Sequence, residues 1–365
     1  MNRSQQSGSD VEALGLRAGE WVEVRSKEEI LRTLDKKGQL DELPFMPAMF
    51  AYCGRRMQVR KSAHKTCDTI NWTGGRRMTA AVHLDDAYCD GAGYDGCQAR
   101  CLLFWKEAWL KRANGPEMAT IRVGSASGSE PTAGVCTEAD VVAAAKGGPV
   151  AEGTPRPTYV CQTTQLVAAT TPLAWWDVSQ YIEDYRSGNV GVRRMVDGFA
   201  YAAWANLIGV SKKARLGLLS RALVVAYDRI QALRGGVPWP RRRGTIPPGQ
   251  KTPAESLNLQ PGERVRVKPY RDILATLDEN NKNRGLYFDA EHVPYCGGEY
   301  TVLSRVDKII EEKTGKMMSF KTASIILDGA ACQSRYSDRR MFCPRGVFPY
   351  FREIWLERVE APRAS

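Results

Sequence analysis

The sequence predicts an α+β protein with two small antiparallel barrels, related by internal duplication and joined by a mostly helical central segment. The first observation is a repeat. Gly19-Glu20-Trp21-Val22-Glu23-Val24 returns as Gly262-Glu263-Arg264-Val265-Arg266-Val267, Tyr52-Cys53-Gly54 as Tyr295-Cys296-Gly297, and Cys89 as Cys332. All share an offset of 243 residues, and self-similarity held in one register marks a repeated structural unit. Beyond a three-residue insertion, Cys97 matches Cys343 and Glu107-Ala108-Trp109-Leu110 matches Glu353-Ile354-Trp355-Leu356. Second, each copy alternates short apolar runs with Gly and Pro, as small barrels do. Third, the stretch between the copies carries helical periodicity.

Residues 1–12 are polar and read as a disordered start. The first copy spans 13–114. Trp21 to Arg25 alternates as a half-buried strand, and Ser26 with Glu29 forms a capping box that opens a helix from Lys27 to Asp35. A loop carries Pro44 and Pro47. Strands follow around Met57 to Arg60, from Thr79 to Leu84 and from Lys106 to Arg112. The opening Gly19-Glu20-x-Val22-x-Val24 is similar to the start of SH3-like barrels. Residues 115–170, rich in Gly, Pro and Thr, read as irregular.

The helical segment covers 171–236. Asp177 caps a helix that Ser187-Gly188-Asn189 ends near Arg186. Residues 190–208 and 211–234 follow with helical spacing, the latter with Leu216, Leu219, Leu223, Ala226 and Ile230 on one apolar stripe. Gly235-Gly236 stops it. A Pro/Arg-rich linker, 237–256, leads to the second copy at 257–362.

Length and composition fit a folded protein of two or three domains. No apolar run is long enough to span a bilayer, and the first residues lack the apolar core of a signal peptide, so the expected location is the cytoplasm. Thiols stay reduced there, and a cluster among the ten cysteines points to metal or catalysis before disulfides. The net charge of +11 suits an anionic substrate or nucleic acid. It is spread along the chain, with one tight triplet at Arg241-Arg242-Arg243, and a solvated basic surface is the simpler reading.

The chemistry-bearing constellation is Cys53, His64, Cys67, His83, Cys89, Cys97 and Cys101, all within 49 residues. Thiolates and imidazoles are the ligands of zinc and of iron–sulfur clusters. His64-x2-Cys67 and Cys97-x3-Cys101 pair donors locally, and the glycine turn after Cys89 lets the backbone wrap closely around an ion or cluster. No zinc-finger spacing is matched. The competing readings are buried structural cysteines with core histidines, and a nucleophilic Cys67 flanked by His64 and Asp68. Cys136 and Cys161 could complete a site, although their spacing does not require it.

The second copy is an internal control. It has Asp307, Ile310, Ile326 and Val347 in place of His64, Cys67, His83 and Cys101, and keeps Cys296, Cys332 and Cys343. The simpler expectation is an active first barrel and a scaffolding second one. Alternatively, each barrel holds its own ion.

The strings His64-Lys65-Thr66-Cys67-Asp68-Thr69, Gly96-Cys97-Gln98-Ala99-Arg100-Cys101 and Phe342-Cys343-Pro344-Arg345 resemble those of a group of uncharacterised bacterial cysteine-rich proteins with two copies of an SH3-like barrel. The resemblance extends over most of the chain. It implies a role in bacterial biosynthesis and supplies no mechanism. The expected function is therefore a cytoplasmic metalloprotein, an enzyme or redox component dependent on zinc or an iron–sulfur cluster, with its site in the first barrel. The alternatives are a nucleic-acid-binding protein with zinc-stabilised barrels, less favoured, and an adaptor for a partner enzyme.

Overall fold

The computed structural model describes residues 13–116, 135–147, 158–337 and 339–359. The expected disordered start and much of the irregular 115–170 stretch lie outside them. Strand β1 (Trp21–Val24) alternates as its sequence requires, burying Val22 and Val24. The Ser26 side chain then accepts from the Glu29 amide while the Glu29 carboxylate accepts from the Ser26 amide, which starts helix α1 (Lys27–Leu31). The first repeat continues through β2 (Arg56–Ser62), β3 (Lys65–Cys67), β4 (Gly75–Arg77), β5 (Ala81–Leu84), β6 (Trp105–Lys106) and β7 (Leu110–Arg112). Its main sheet is antiparallel, in the order β6-β5-β2-β1-β7.

The edge strands β6 and β7 are consecutive in sequence, joined by one 3-10 turn at Glu107–Trp109. The sheet therefore curls back on itself, yet among the described residues no ladder closes it. This corrects the expectation of closed barrels. With only two residues in β6 and a 3-10 turn beside it, little extended backbone is left to pair. The Glu107 carboxylate instead accepts from the Gly15 and Leu16 amides, both at 2.9 Å, and ties the incoming chain across the gap.

The central segment is more ordered than its composition suggests. A capping box of Thr137 and Asp140 opens helix α2 (Glu138–Ala144), a Thr-x-x-Asp signal that the Gly/Ala-rich surroundings obscure. Val141, Ala145, Tyr159 and Leu166 enter the first repeat's core. Strand β8 (Thr171–Leu173) pairs with β4, giving a small sheet in the order β8-β4-β3. Helices α3 (Ser179–Arg186), α4 (Val192–Lys213) and α5 (Gly217–Leu233) follow. Among the described residues no helix is long and apolar enough to cross a membrane.

The apolar stripe expected on α5 forms its buried face only in part, with Leu223 packed against the buried aromatic cluster. Leu216 and Leu219 are 50% and 47% exposed, whereas Tyr227 is buried. Aromatic side chains offer more area to bury than leucines. The hairpin accordingly packs through Tyr201, Trp204, Tyr227 and the linker's Trp239, reaching Tyr336 of the second repeat. Trp239 also anchors the linker, its amide donating to Asp228 at 2.7 Å.

The second repeat contains β9 (Arg264–Val267), β10 (Glu299–Ile310), β11 (Met317–Leu327) and β12 (Leu356–Arg358), in the sheet order β11-β10-β9-β12. Its registers match those of the first. Trp21 opposes Gln58 as Arg264 opposes Thr301, and Val22 opposes Arg112 as Val265 opposes Arg358. The Trp109 indole donates to Thr33 at 3.1 Å, and Trp355 to Thr276 at 2.9 Å. The repeats differ in their hairpins. The long β10–β11 hairpin is continuous, while its first-repeat counterpart is interrupted between β2 and β3 and between β4 and β5.

Candidate functional site

The two repeats meet at equivalent positions. Thr69 donates to the Glu312 carboxylate, and these residues are 243 apart in sequence, the repeat offset itself. Contact between equivalent residues means that a local two-fold relation runs between the repeats here. Arg345, almost fully buried, donates to Thr69 and to Glu312, each at 2.8 Å, and closes the contact.

On either side, each repeat lays a strand against the other's cysteine loop. The amides of Asp307 and Lys308 in β10 donate to Gln98 Oε1 at 2.6 and 3.0 Å, and the Ile310 amide reaches Cys97 Sγ at 3.4 Å. On the opposite side Cys67, at the end of β3, stands beside Cys343, bracketed by Lys65 over the Phe342 ring and by Arg345 donating to Thr69. Cys67 is the counterpart of Ile310, and Cys343 of Cys97.

A partly open cavity of about 460 Å³ lies at the first of these junctions. Four thiols line it: Cys89, Cys97 and Cys101 from the first repeat and Cys161 from the central segment. Local backbone explains their placement. Gly91 has a φ of +73°, and a Cβ there would stand 2.0 Å from the Cys97 carbonyl oxygen, so only glycine lets the loop fold this tightly. The Cys89 sulfur accepts from the Gly91 amide, and the Cys97 sulfur from the amides of Ala99 and Ile310. The Cys89 amide bonds the Cys101 carbonyl at 2.8 Å, which brings those two residues together. Each of Cys89, Cys97 and Cys101 lies close enough to Cys161 to feel its charge.

Burial pushes the Cys89 thiol up to about 12 and raises Cys97 and Cys101 as well. All three are therefore protonated thiols at neutral pH unless a cation displaces the proton. The walls include Leu103, Phe104 and Ile310, with Arg345 at one end. Tyr94 also lines the cavity, and its buried hydroxyl has no hydrogen-bond partner. An unpaired buried hydroxyl is costly, so this one is a candidate contact for whatever fills the space.

The structure does not bring the seven donors singled out by sequence to one point. Cys53 ends a 3-10 helix away from the cavity, half-buried, and burial pushes its thiol up to about 11. Cys296 occupies the same place in the second repeat, consistent with a position belonging to the fold. His83 is a core residue: it packs on Phe104, and Nδ1 lies 2.9 Å from the Leu103 carbonyl. Burial drives its pKa down to about 3, so it is neutral.

His64 follows the break after β2 and turns its Nε2 toward Asp184 of α3, at 3.3 Å. Lys65 joins them, its ammonium 2.5 Å from Asp184 and 3.2 Å from Gln180. Asp68 orders its own loop, accepting from the amides of Ile70 and Asn71 and from the Thr73 hydroxyl. Cys67 is thus flanked in sequence by His64 and Asp68, but both are engaged elsewhere, and its neighbour across the junction is Cys343.

Sequence reasoning allowed that Cys161 could complete a site and that Cys343 could serve a separate ion, but named neither among the site residues. Only their arrival from 60 to more than 200 residues away assigns them to it. Two arginines of the basic triplet, by contrast, are engaged within the protein: Arg241 donates to Tyr201 and to the Tyr336 carbonyl, and Arg242 to Asp228. Arg264 and Arg266 both pair with Glu299.

Among the described residues no three His, Cys, Asp or Glu side chains are grouped tightly enough to hold one metal ion. Two sulfurs on a tetrahedral zinc must stand about 3.8 Å apart, so the four thiols as placed do not fit a single zinc. Four cysteines around one pocket are a donor set that polynuclear clusters use, with thiolates on different irons. No family model matches the chain, and no curated protein matches it significantly.

Proposed function

We propose that the protein is an iron–sulfur protein, a redox component or cluster-dependent enzyme of bacterial biosynthesis, with its centre in the cavity between the repeats. The observation that carries this reading is four thiols, Cys89, Cys97, Cys101 and Cys161, lining one cavity of about 460 Å³. Four cysteines are the usual ligand set of such clusters, and when bound a cluster of this kind supplies one-electron transfer.

The chain's own residues have separable roles in this reading. The four cysteines would bind as thiolates, releasing their protons on assembly. The Gly91, Ala99 and Ile310 amides and the Tyr94 hydroxyl would donate toward sulfur. Arg345 would offset negative charge, and Leu103, Phe104 and Ile310 would keep water away. Hydrogen bonds, charge and solvent exclusion are the levers by which a protein sets a cluster's potential.

The test is anaerobic purification or reconstitution with iron and sulfide, followed by iron and sulfide analysis and visible absorbance. Stoichiometric iron and sulfide with a broad band near 400 nm, both lost in Cys161→Ala, are the expected result. A chain that takes up no iron, or binds it equally well without Cys161, would end the proposal. Zinc uptake in place of iron would return the single-ion reading and require the thiols to close in on one another.

A further inference from the structure

We propose that Cys67 and Cys343 form a reversible disulfide that joins the two repeats, a dithiol redox site separate from the four-thiol cavity. The two residues are 276 apart in sequence, and the local two-fold relation brings them together. Cys67 ends β3 of the first repeat, and Cys343 lies in the second repeat's cysteine loop. Contacts on both sides set them side by side: the Lys65 ammonium lies 5.7 Å from the centre of the Phe342 ring, and Arg345 donates to Thr69 at 2.8 Å.

The surroundings suit thiol exchange. Cys343 is buried, 5% exposed, while Cys67 is half-buried and lines a pocket of about 170 Å³, through which a small disulfide can approach. The Arg345 amide donates to the Cys343 sulfur, and the Arg345 guanidinium lies close enough to favour its thiolate. An adjacent cation and backbone donors are what activate a cysteine.

The oxidant is a small-molecule disulfide, with oxidised glutathione as the probe. In the first step a thiolate of the pair attacks one sulfur of the probe. A mixed disulfide forms and one glutathione thiolate leaves. The other cysteine of the pair then loses its proton, attacks the protein sulfur of that mixed disulfide and releases the second glutathione. Two protein thiols are oxidised and one disulfide is reduced to two thiols, so electrons and atoms balance. Reduced glutathione reverses both steps.

Cys332 is the internal competitor, since it lies near both cysteines and shares the small pocket with Cys67. The experiment equilibrates the full chain in buffers of varied oxidised-to-reduced glutathione ratio, quenches in acid and maps disulfides by peptide mass spectrometry. The expected result is a Cys67–Cys343 bridge that appears and disappears with the ratio, persists in Cys332→Ser and is absent in Cys67→Ile, which installs the residue of the equivalent position. A dominant Cys67–Cys332 bridge would overturn the proposal. So would a pair that stays reduced in buffers that oxidise other cysteines of the chain. Neither Cys67 nor Cys343 lines the larger cavity, so this result is independent of whether iron is found there.

Discussion

The two junctions between the repeats are built from equivalent parts and differ in chemistry at a few positions. At one, Ile310 faces Cys97, and the loop adds Cys101 and receives Cys161 from the central segment. At the other, Cys67 faces Cys343, Val347 replaces Cys101, and the pocket is smaller. The duplication supplied two copies of a loop whose cysteines accept hydrogen bonds from amides two residues on. What each copy can do then depends on what the rest of the chain places opposite it. An isoleucine and a third loop cysteine leave an apolar, thiol-lined chamber, whereas a single opposing cysteine makes a dithiol. Under the two proposals each site draws on both repeats, an alternative to the expectation of one active repeat and one scaffold.

The difference between the junctions is tested most directly by removing one key cysteine from each. Cys97→Ala is expected to lower bound iron to under about a tenth of the wild-type content, because a missing ligand opens the site, while Cys343→Ala leaves iron unchanged. Equal losses in iron analysis would erase the distinction between the junctions.

A second large effect concerns the strands that dock there. Asp184→Ala leaves Lys65 and His64 buried without their carboxylate and should cost about 3–5 kcal/mol, measured by denaturant unfolding. Asp307, the counterpart of His64, is largely exposed, and Asp307→Ala should change stability by less than about 0.5 kcal/mol. Similar values for the two would mean that the first repeat's ion cluster is not structural.

A pH profile separates the thiols further. The neighbouring Cys67 thiol, helped by the Arg345 amide and guanidinium, holds Cys343 down to about 7 against burial, which raises it. Its thiolate is therefore present above pH 7 and lost as pH falls through that value. Cys332, Lys61 and Lys65 also face this thiol. Oxidation of the pair by glutathione disulfide should speed up about tenfold from pH 6 to pH 8. The Cys89 thiol, pushed up to about 12, should show no inflection in that range. A rate for the pair that is flat with pH would remove Cys343 as the attacking group.

A smaller effect tests the equivalence of the repeats themselves. Thr33→Val and Thr276→Val each remove the acceptor of a buried indole N–H, and each should cost about 1–3 kcal/mol by thermal or denaturant unfolding. Unequal costs would show that the repeats have diverged in their cores as well as at their junctions.

Much of the fold was legible in the sequence. The Ser26 capping box, the alternation of Val22 and Val24, the glycine stop at Gly235 and the repeat offset are local signals with local physical causes. The α2 cap at Thr137 and Asp140 was equally local, and was hidden only by the Gly/Ala-rich composition around it. The curled but open sheets were not legible, because the edge depends on how much extended backbone is left beside Glu107–Trp109. Nor was the whole buried face of α5, where Tyr227 and Trp239 displaced part of the leucine stripe by offering more area to bury.

For the site, the order of residues set the chemical vocabulary: thiols concentrated in glycine-shaped loops, present in both copies, with the extra donors in the first. Packing of the whole chain chose which thiols meet. His64, Cys67 and His83 are close to the loop cysteines in sequence but are held elsewhere by Asp184, Cys343 and the Leu103 carbonyl. Cys161 and Cys343 are distant in sequence yet complete the two junctions. Spacing along a chain limits the partners of neighbouring residues only, whereas contacts across a two-fold interface depend on how whole repeats pack.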